Sequence, residues 1–161
     1  MEKLTNSREE YFSQIRKELL DFRTESGWLK KFGFLEVPYF LTYGFAVGFF
    51  TKNNEEEGRL VCRKWNADYD NSRFQLGIYN VDRLAIAEES MKIAKDDDEF
   101  FQSVDLEKMD ILSHDGVVLD GLHCELQIPE TGSLLNWNMD DEMNDAMISL
   151  VNRIRKIVYQ N

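Results

Sequence analysis

The segment 39–51 constrains the fold of this chain more than any other stretch. Leu41, Tyr43, Phe45, Val47 and Phe49 are bulky, and the residues alternating with them, Thr42, Gly44, Ala46 and Gly48, are small. Alternation with a period of two is a strand signature. Glycines at alternate positions weaken a strand unless something packs close to its backbone. The small face therefore predicts either a helix or a ligand against it, and a helix is the commoner solution.

Two amphipathic segments can supply that helix. Over 6–24, Phe12, Ile15, Leu19 and Phe22 recur at three- and four-residue spacing, with Ser7 and Glu10 placed as a capping box and Ser26-Gly27 as the stop. Over 140–159, Met143, Ala146, Met147, Leu150, Val151, Ile154, Ile157 and Val158 form one stripe. Its start is acidic and its end basic, in agreement with the helix dipole. Between them, 59–65 reads as a returning strand after the exposed turn 53–58, and 134–137 as a further strand. Asp96-Asp97-Asp98-Glu99 opens a short helix whose buried side is Phe100, Phe101 and Val104. Segment 28–38 reads as a connection with anchoring aromatics and 66–72 as a polar loop. Segment 74–79 fits a strand or a helix start, and 81–94 carries both strand and helix signals. The order predicts an α+β fold, a mostly antiparallel sheet flanked by N- and C-terminal amphipathic helices, with residues 1–161 forming one domain.

The run Gly116-Val117-Val118-Leu119-Asp120-Gly121-Leu122-His123-Cys124-Glu125-Leu126-Gln127-Ile128 carries a tight-turn dipeptide between strand-like flanks. A two-residue loop at Asp120-Gly121 would put Val117 opposite Cys124 and Val118 opposite His123. Leu122, Cys124, Leu126 and Ile128 would then share a buried face. His123, Glu125 and Gln127 would take the other, with His114 opposite Gln127.

The charge is uneven. Of a net −11, residues 88–145 hold 17 acids against 3 lysines, while the remainder holds 13 acids against 16 bases. Such a chain is repelled by nucleic-acid phosphates and anionic membrane surfaces and is steered toward basic partners. No apolar run suggests a secretory signal or a membrane span. Cys62 and Cys124 lack metal or redox spacing and predict buried free thiols in a cytosolic setting rather than a disulfide.

Few residues point to catalysis. His114, His123 and Glu125 on one sheet face are the types that bind a metal or shuttle a proton, against the plainer reading of a solvated strand face. Asp68 and Asp70 open like a calcium loop, but the sixth position is Arg73 and the twelfth is Tyr79, where glycine and glutamate are needed. The Asp96 run suits a solvated helix start better than a divalent-metal cluster. Trp28, Trp65 and Trp137 suit core packing better than a stacking surface. No phosphate loop, nucleophile elbow or cysteine–histidine pair appears, so no metal or cofactor is assigned.

The stretch from Val118 through Leu119-Asp120-Gly121 to Glu125-Leu126 and Ile128, followed by Trp137 and a closing amphipathic helix, resembles the C-terminal half of small bacterial immunity proteins. These are α+β proteins encoded beside polymorphic or contact-dependent toxins. The resemblance spans about a quarter of the chain and implies a cytoplasmic protein that binds its toxin through a surface of acidic residues. It carries over no individual functional residue. With the charge pattern it yields the expectation of a non-enzymatic binding protein that occludes a basic toxin, a nuclease for example, with Asp97, Asp98, Glu99 and Glu125 in contact. The alternative is a small hydrolase or metal-dependent enzyme using His114, His123 and Glu125.

Overall fold

A computed structural model of the chain describes residues 2–38, 43–75, 84–114, 122–138 and 141–160. The first helix, α1 (Glu2–Leu19), leads into β1 (Leu29–Pro38), β2 (Tyr43–Thr51) and β3 (Arg59–Asn66). Next come α2 (Ala67–Gln75), β4 (Ile86–Met91), α3 (Lys95–Ser103) and a 3-10 turn at Leu106–Lys108. The chain closes with β5 (Ile111–Ser113), β6 (Leu122–Ile128), β7 (Ser133–Asn138), β8 (Glu142–Met143) and α4 (Asp145–Gln160). Six strands make one antiparallel sheet in the order β4-β3-β2-β1-β6-β7, and β5 pairs with β8 apart from it. Among the described residues no helix is long and apolar enough to cross a membrane.

The sheet has helices on both faces, and side-chain size decides which goes where. The bulky residues of β2 (Phe45, Val47, Phe49) join Phe32, Phe34, Leu60, Cys62, Cys124, Leu126 and Trp137 in one cluster. Phe101 of α3 and Met147, Leu150, Val151, Ile154, Ile157 and Val158 of α4 complete it. On the small face, α1 lays Tyr11, Ile15 and Leu19 against Leu35, Val37, Ala46 and Trp65. Gly48 has no Cβ because the edge-to-face pair of Phe22 and Phe50, with centroids 5.8 Å apart, lies over it. The small face of β2 thus takes a helix and the segment that follows it.

Three expectations change. Segment 28–38 is the central strand β1, buried on both faces: Phe32, Phe34 and Glu36 point to one side, Leu35 and Val37 to the other. A strand covered twice shows no polar alternation, which is why it reads as a connection. Segment 67–75 is helix α2 rather than a loop, begun by Asn66, whose Oδ1 accepts from the Tyr69 amide at 3.0 Å. Helix α1 starts at Glu2, so Ser7 and Glu10 sit inside it rather than at its cap, and Phe12 lies toward solvent. Asp120-Gly121 lies outside the described residues, and both hydrogen-bonding edges of β6 are occupied, by β1 and by β7. The ambiguous 81–94 contains β4, and α4 begins at Asp145, where Asn144 Oδ1 accepts from the Met147 amide at 3.0 Å.

Candidate functional site

The turn between β2 and β3 and the start of α3 stand side by side and enclose a cleft of about 470 Å³. Glu56, Glu57, Glu99, Asp98 and Lys95 line it. The turn reverses at Asn54 (φ +73°), an amide residue that tolerates left-handed backbone, with the Glu55 amide donating to Lys52 O at 3.1 Å. Asp98 fixes the two walls together. Its buried carboxylate accepts from the Gly58 amide at 2.9 Å and from Gln102 Nε2 at 3.0 Å, while the same Gln102 amide donates to Glu56 O at 2.7 Å. Gly58 is required here, since a Cβ would stand 2.2 Å from the Phe49 ring. Glu56, Glu57 and Glu99 remain exposed, and Lys95 meets Glu99 only at 3.9 Å.

The other end of α3 is also held. Lys31 donates to the carbonyls of Phe101 (2.9 Å) and Gln102, placing a cation at the negative end of the helix. Burial lowers the Lys31 pKa, and Glu130 acts in the opposite sense.

Three of the four acids expected at a partner surface have internal roles. Asp98 ties the cleft walls together. Asp97 pairs with Arg153 Nη1 at 2.9 Å. Glu125 is buried on the α1 face, where Arg16 Nε lies 2.8 Å from both of its oxygens and His123 Nε2 3.2 Å from Oε1. Burial alone would raise the Glu125 pKa, but the hydrogen bonds from His123 and Arg16 and the Arg16 charge outweigh it, leaving the carboxyl below its usual range. Only Glu99 keeps a solvent-facing carboxylate. Sequence reasoning missed Glu56 and Glu57, although Glu55-Glu56-Glu57 was legible as an exposed turn. Nothing in the chain order says that the turn stands next to α3.

The histidines are divided between two carboxylates. His123 sits beside Glu125, while His114 Nδ1 lies 3.0 Å from Asp141 Oδ2, which also accepts from the Asn138 amide at 2.9 Å. His114 is therefore held by the segment after β7 rather than by Gln127, because β7 occupies the edge expected for it. Among the described residues no group of three or more histidines, cysteines or carboxylates has metal-site geometry. Asp70, from the faint calcium motif, is buried and accepts from Trp65 Nε1 at 2.8 Å and the Ala85 amide at 2.7 Å. Both cysteines are free and buried; burial pushes each thiol up to about 12, with Lys64 opposing it at Cys62 and Glu36 adding to it at Cys124.

These features define an α+β protein built on a six-stranded antiparallel sheet, with an acidic cleft at one end. No protein-family model matches the chain, and neither does a curated protein or a solved structure.

Proposed function

We propose that this chain is a non-enzymatic binding protein that receives a basic segment of a partner protein in the cleft between the β2–β3 turn and α3. The observation carrying this reading is that Glu56, Glu57 and Glu99 line one cleft with a single lysine, on walls fixed by the buried Asp98. Carboxylates at the mouth of a cleft with fixed walls focus the field of a protein of net charge −11 and speed capture of a cationic group. Further exposed acids lie nearby in sequence, at Asp96, Asp105, Glu107 and Asp110. The backbone bond from the Asn144 amide to Asp110 O brings Glu142 and Asp145 close to Asp110.

Within that class, the acidic surface and the resemblance to immunity proteins favour a cytoplasmic inhibitor that occludes the positive cleft of a toxin such as a nuclease. The free, buried thiols are consistent with a reducing compartment. The alternative enzyme reading, with His114, His123 and Glu125, has in its favour the 3.2 Å contact of His123 with Glu125. That carboxylate is already engaged by Arg16.

The test is comparative capture. The immobilised chain and an E56Q/E57Q/E99Q variant are exposed at low salt to a lysate of the source cell, and retained proteins are identified. The reading predicts a basic protein retained by the native chain and lost from the variant. Equal retention by both contradicts it.

A further inference from the structure

The opposite sign of charge gathers at a second, smaller cleft on the α1 face of the sheet. The connection 20–28 crosses this face and is pinned there by the Arg23 amide, which donates to Glu88 Oε1 at 3.1 Å. Gly27, at φ +91°, turns the connection so that Lys52 lies against it; a Cβ there would stand 3.2 Å from Lys52 Cε. Trp28 then meets two cations, with the Arg59 guanidinium 4.2 Å and Lys52 Nζ 5.9 Å from its ring centroid. Arg23, Thr24, Glu25, Trp28, Arg59 and Ser90 line a cleft of about 150 Å³ over the buried side chains of Phe50 and Val61, with Lys52 beside it.

Charge balance here is incomplete. Among the described residues the one carboxylate within 4 Å of these three cations is Glu25, 3.6 Å from Arg59 and with its side chain 76% exposed. Arg59 and Lys52 share the Trp28 ring and Arg23 lines the same cleft, a concentration of cations that a bound anion would offset. At physiological salt the screening length is about 8 Å, so these cations outweigh the distant negative charge of the rest of the protein. A guanidinium stacked on an aromatic ring keeps its N–H edge free for paired hydrogen bonds to an oxyanion. The volume is well under the about 300–1,000 Å³ of sites for drug-sized ligands, which restricts the occupant to a small group.

We propose that this cleft is a binding site for a small tetrahedral oxyanion, a phosphate or the phosphate group of a monoester, held by Arg23 and Arg59 with Lys52 adding charge. The site is independent of the acidic cleft. The test titrates inorganic phosphate, and separately acetate, into the isotopically labelled full chain at low chloride while backbone amide shifts are followed. Saturable shifts clustered at residues 23–28, 52, 59 and 90 with phosphate, and weaker ones with acetate, are expected. R23Q/R59Q should weaken phosphate binding by at least about tenfold and K52Q by less, with thermal midpoints near that of the native chain. Should R23Q/R59Q unfold, K52Q alone still has to weaken binding. Shifts that are linear and spread over all lysines and arginines, that are matched by acetate, or that persist unchanged in the variants would overturn the assignment.

Discussion

Arg155 Nε lies 2.7 Å from Glu36 Oε1, joining the C-terminal helix to the middle of the central strand. Glu36 is one of the few charged residues in the interior, and its other oxygen accepts from the Tyr159 hydroxyl. Cys124 on the neighbouring strand completes the surroundings, with Arg155 Nη2 3.8 Å from its sulfur. Burial opposes the charge on Arg155, but Glu36 more than offsets it and raises the Arg155 pKa; burial followed by Glu36 raises that of Tyr159. This cluster bolts α4 to β1 and β6.

Removing one member of that bolt should cost more than removing both charges. R155M leaves Glu36 buried without its cation and should destabilise the fold by about 3 kcal/mol, whereas E36M/R155M should cost clearly less. Y159F removes one hydrogen bond to a charged group and should cost about 1–2 kcal/mol. Urea denaturation of the four proteins checks this. Equal costs for R155M and the double variant would show that Glu36 is not held by the pair.

Glu125 should make stability fall in acid. Its folded-state pKa is depressed, so its contribution is present above the unfolded value of about 4.3 and is lost as pH falls through the folded value. E125Q should therefore be less stable than the native chain at neutral pH, by about 1–3 kcal/mol, and the gap should close below pH 4. A gap that stays constant with pH would contradict the assigned partners, Arg16 and His123.

Gly58 should not accept a side chain. G58A places a methyl 2.2 Å from the Phe49 ring and presses on Asp98, so about 1–3 kcal/mol of stability should be lost. D98A frees the turn from α3 and should weaken partner binding even at temperatures where the fold is intact. Thermal melts together with amide exchange at 52–58 separate the two effects.

Cys62 and Cys124 should resist thiol reagents in the folded protein. Both are fully buried, and thiols titrating near 12 hold almost no thiolate at neutral pH. Labelling should be negligible in buffer and reach two thiols per chain in denaturant. Rapid labelling of the native chain would contradict the burial of β3 and β6.

The sequence made the layers legible and the neighbours illegible. The unequal faces of β2 announced two coverings, and the stripes through Ile15 and Leu19, and through Leu150 to Val158, supplied them. Strand β1 was hidden because Lys30, Lys31, Glu36 and Pro38 carry polarity or a break into a doubly buried strand. Glu36 tolerates that position through Arg155 and Tyr159, 119 and 123 residues away. The expected hairpin at Asp120-Gly121 was a local inference that falls outside the described residues; β6 itself pairs on one edge with the distant β1 and on the other with β7, the next strand in the chain. For the candidate site, the acids of α3 were visible but their engagement was not. Asp98 meets Gly58 and Asp97 meets Arg153 only once the chain has folded.

The acidic cleft is tested most directly by the salt dependence of affinity for the captured basic partner, measured by calorimetry for the native chain and E56Q/E57Q/E99Q. The account predicts affinity that falls steadily as salt rises. It also predicts a loss of about ten- to a hundredfold in the variant at low salt, on the basis of about 0.5–1 kcal/mol for each of three exposed carboxylates. Affinity indifferent to salt and unchanged in the variant would contradict it.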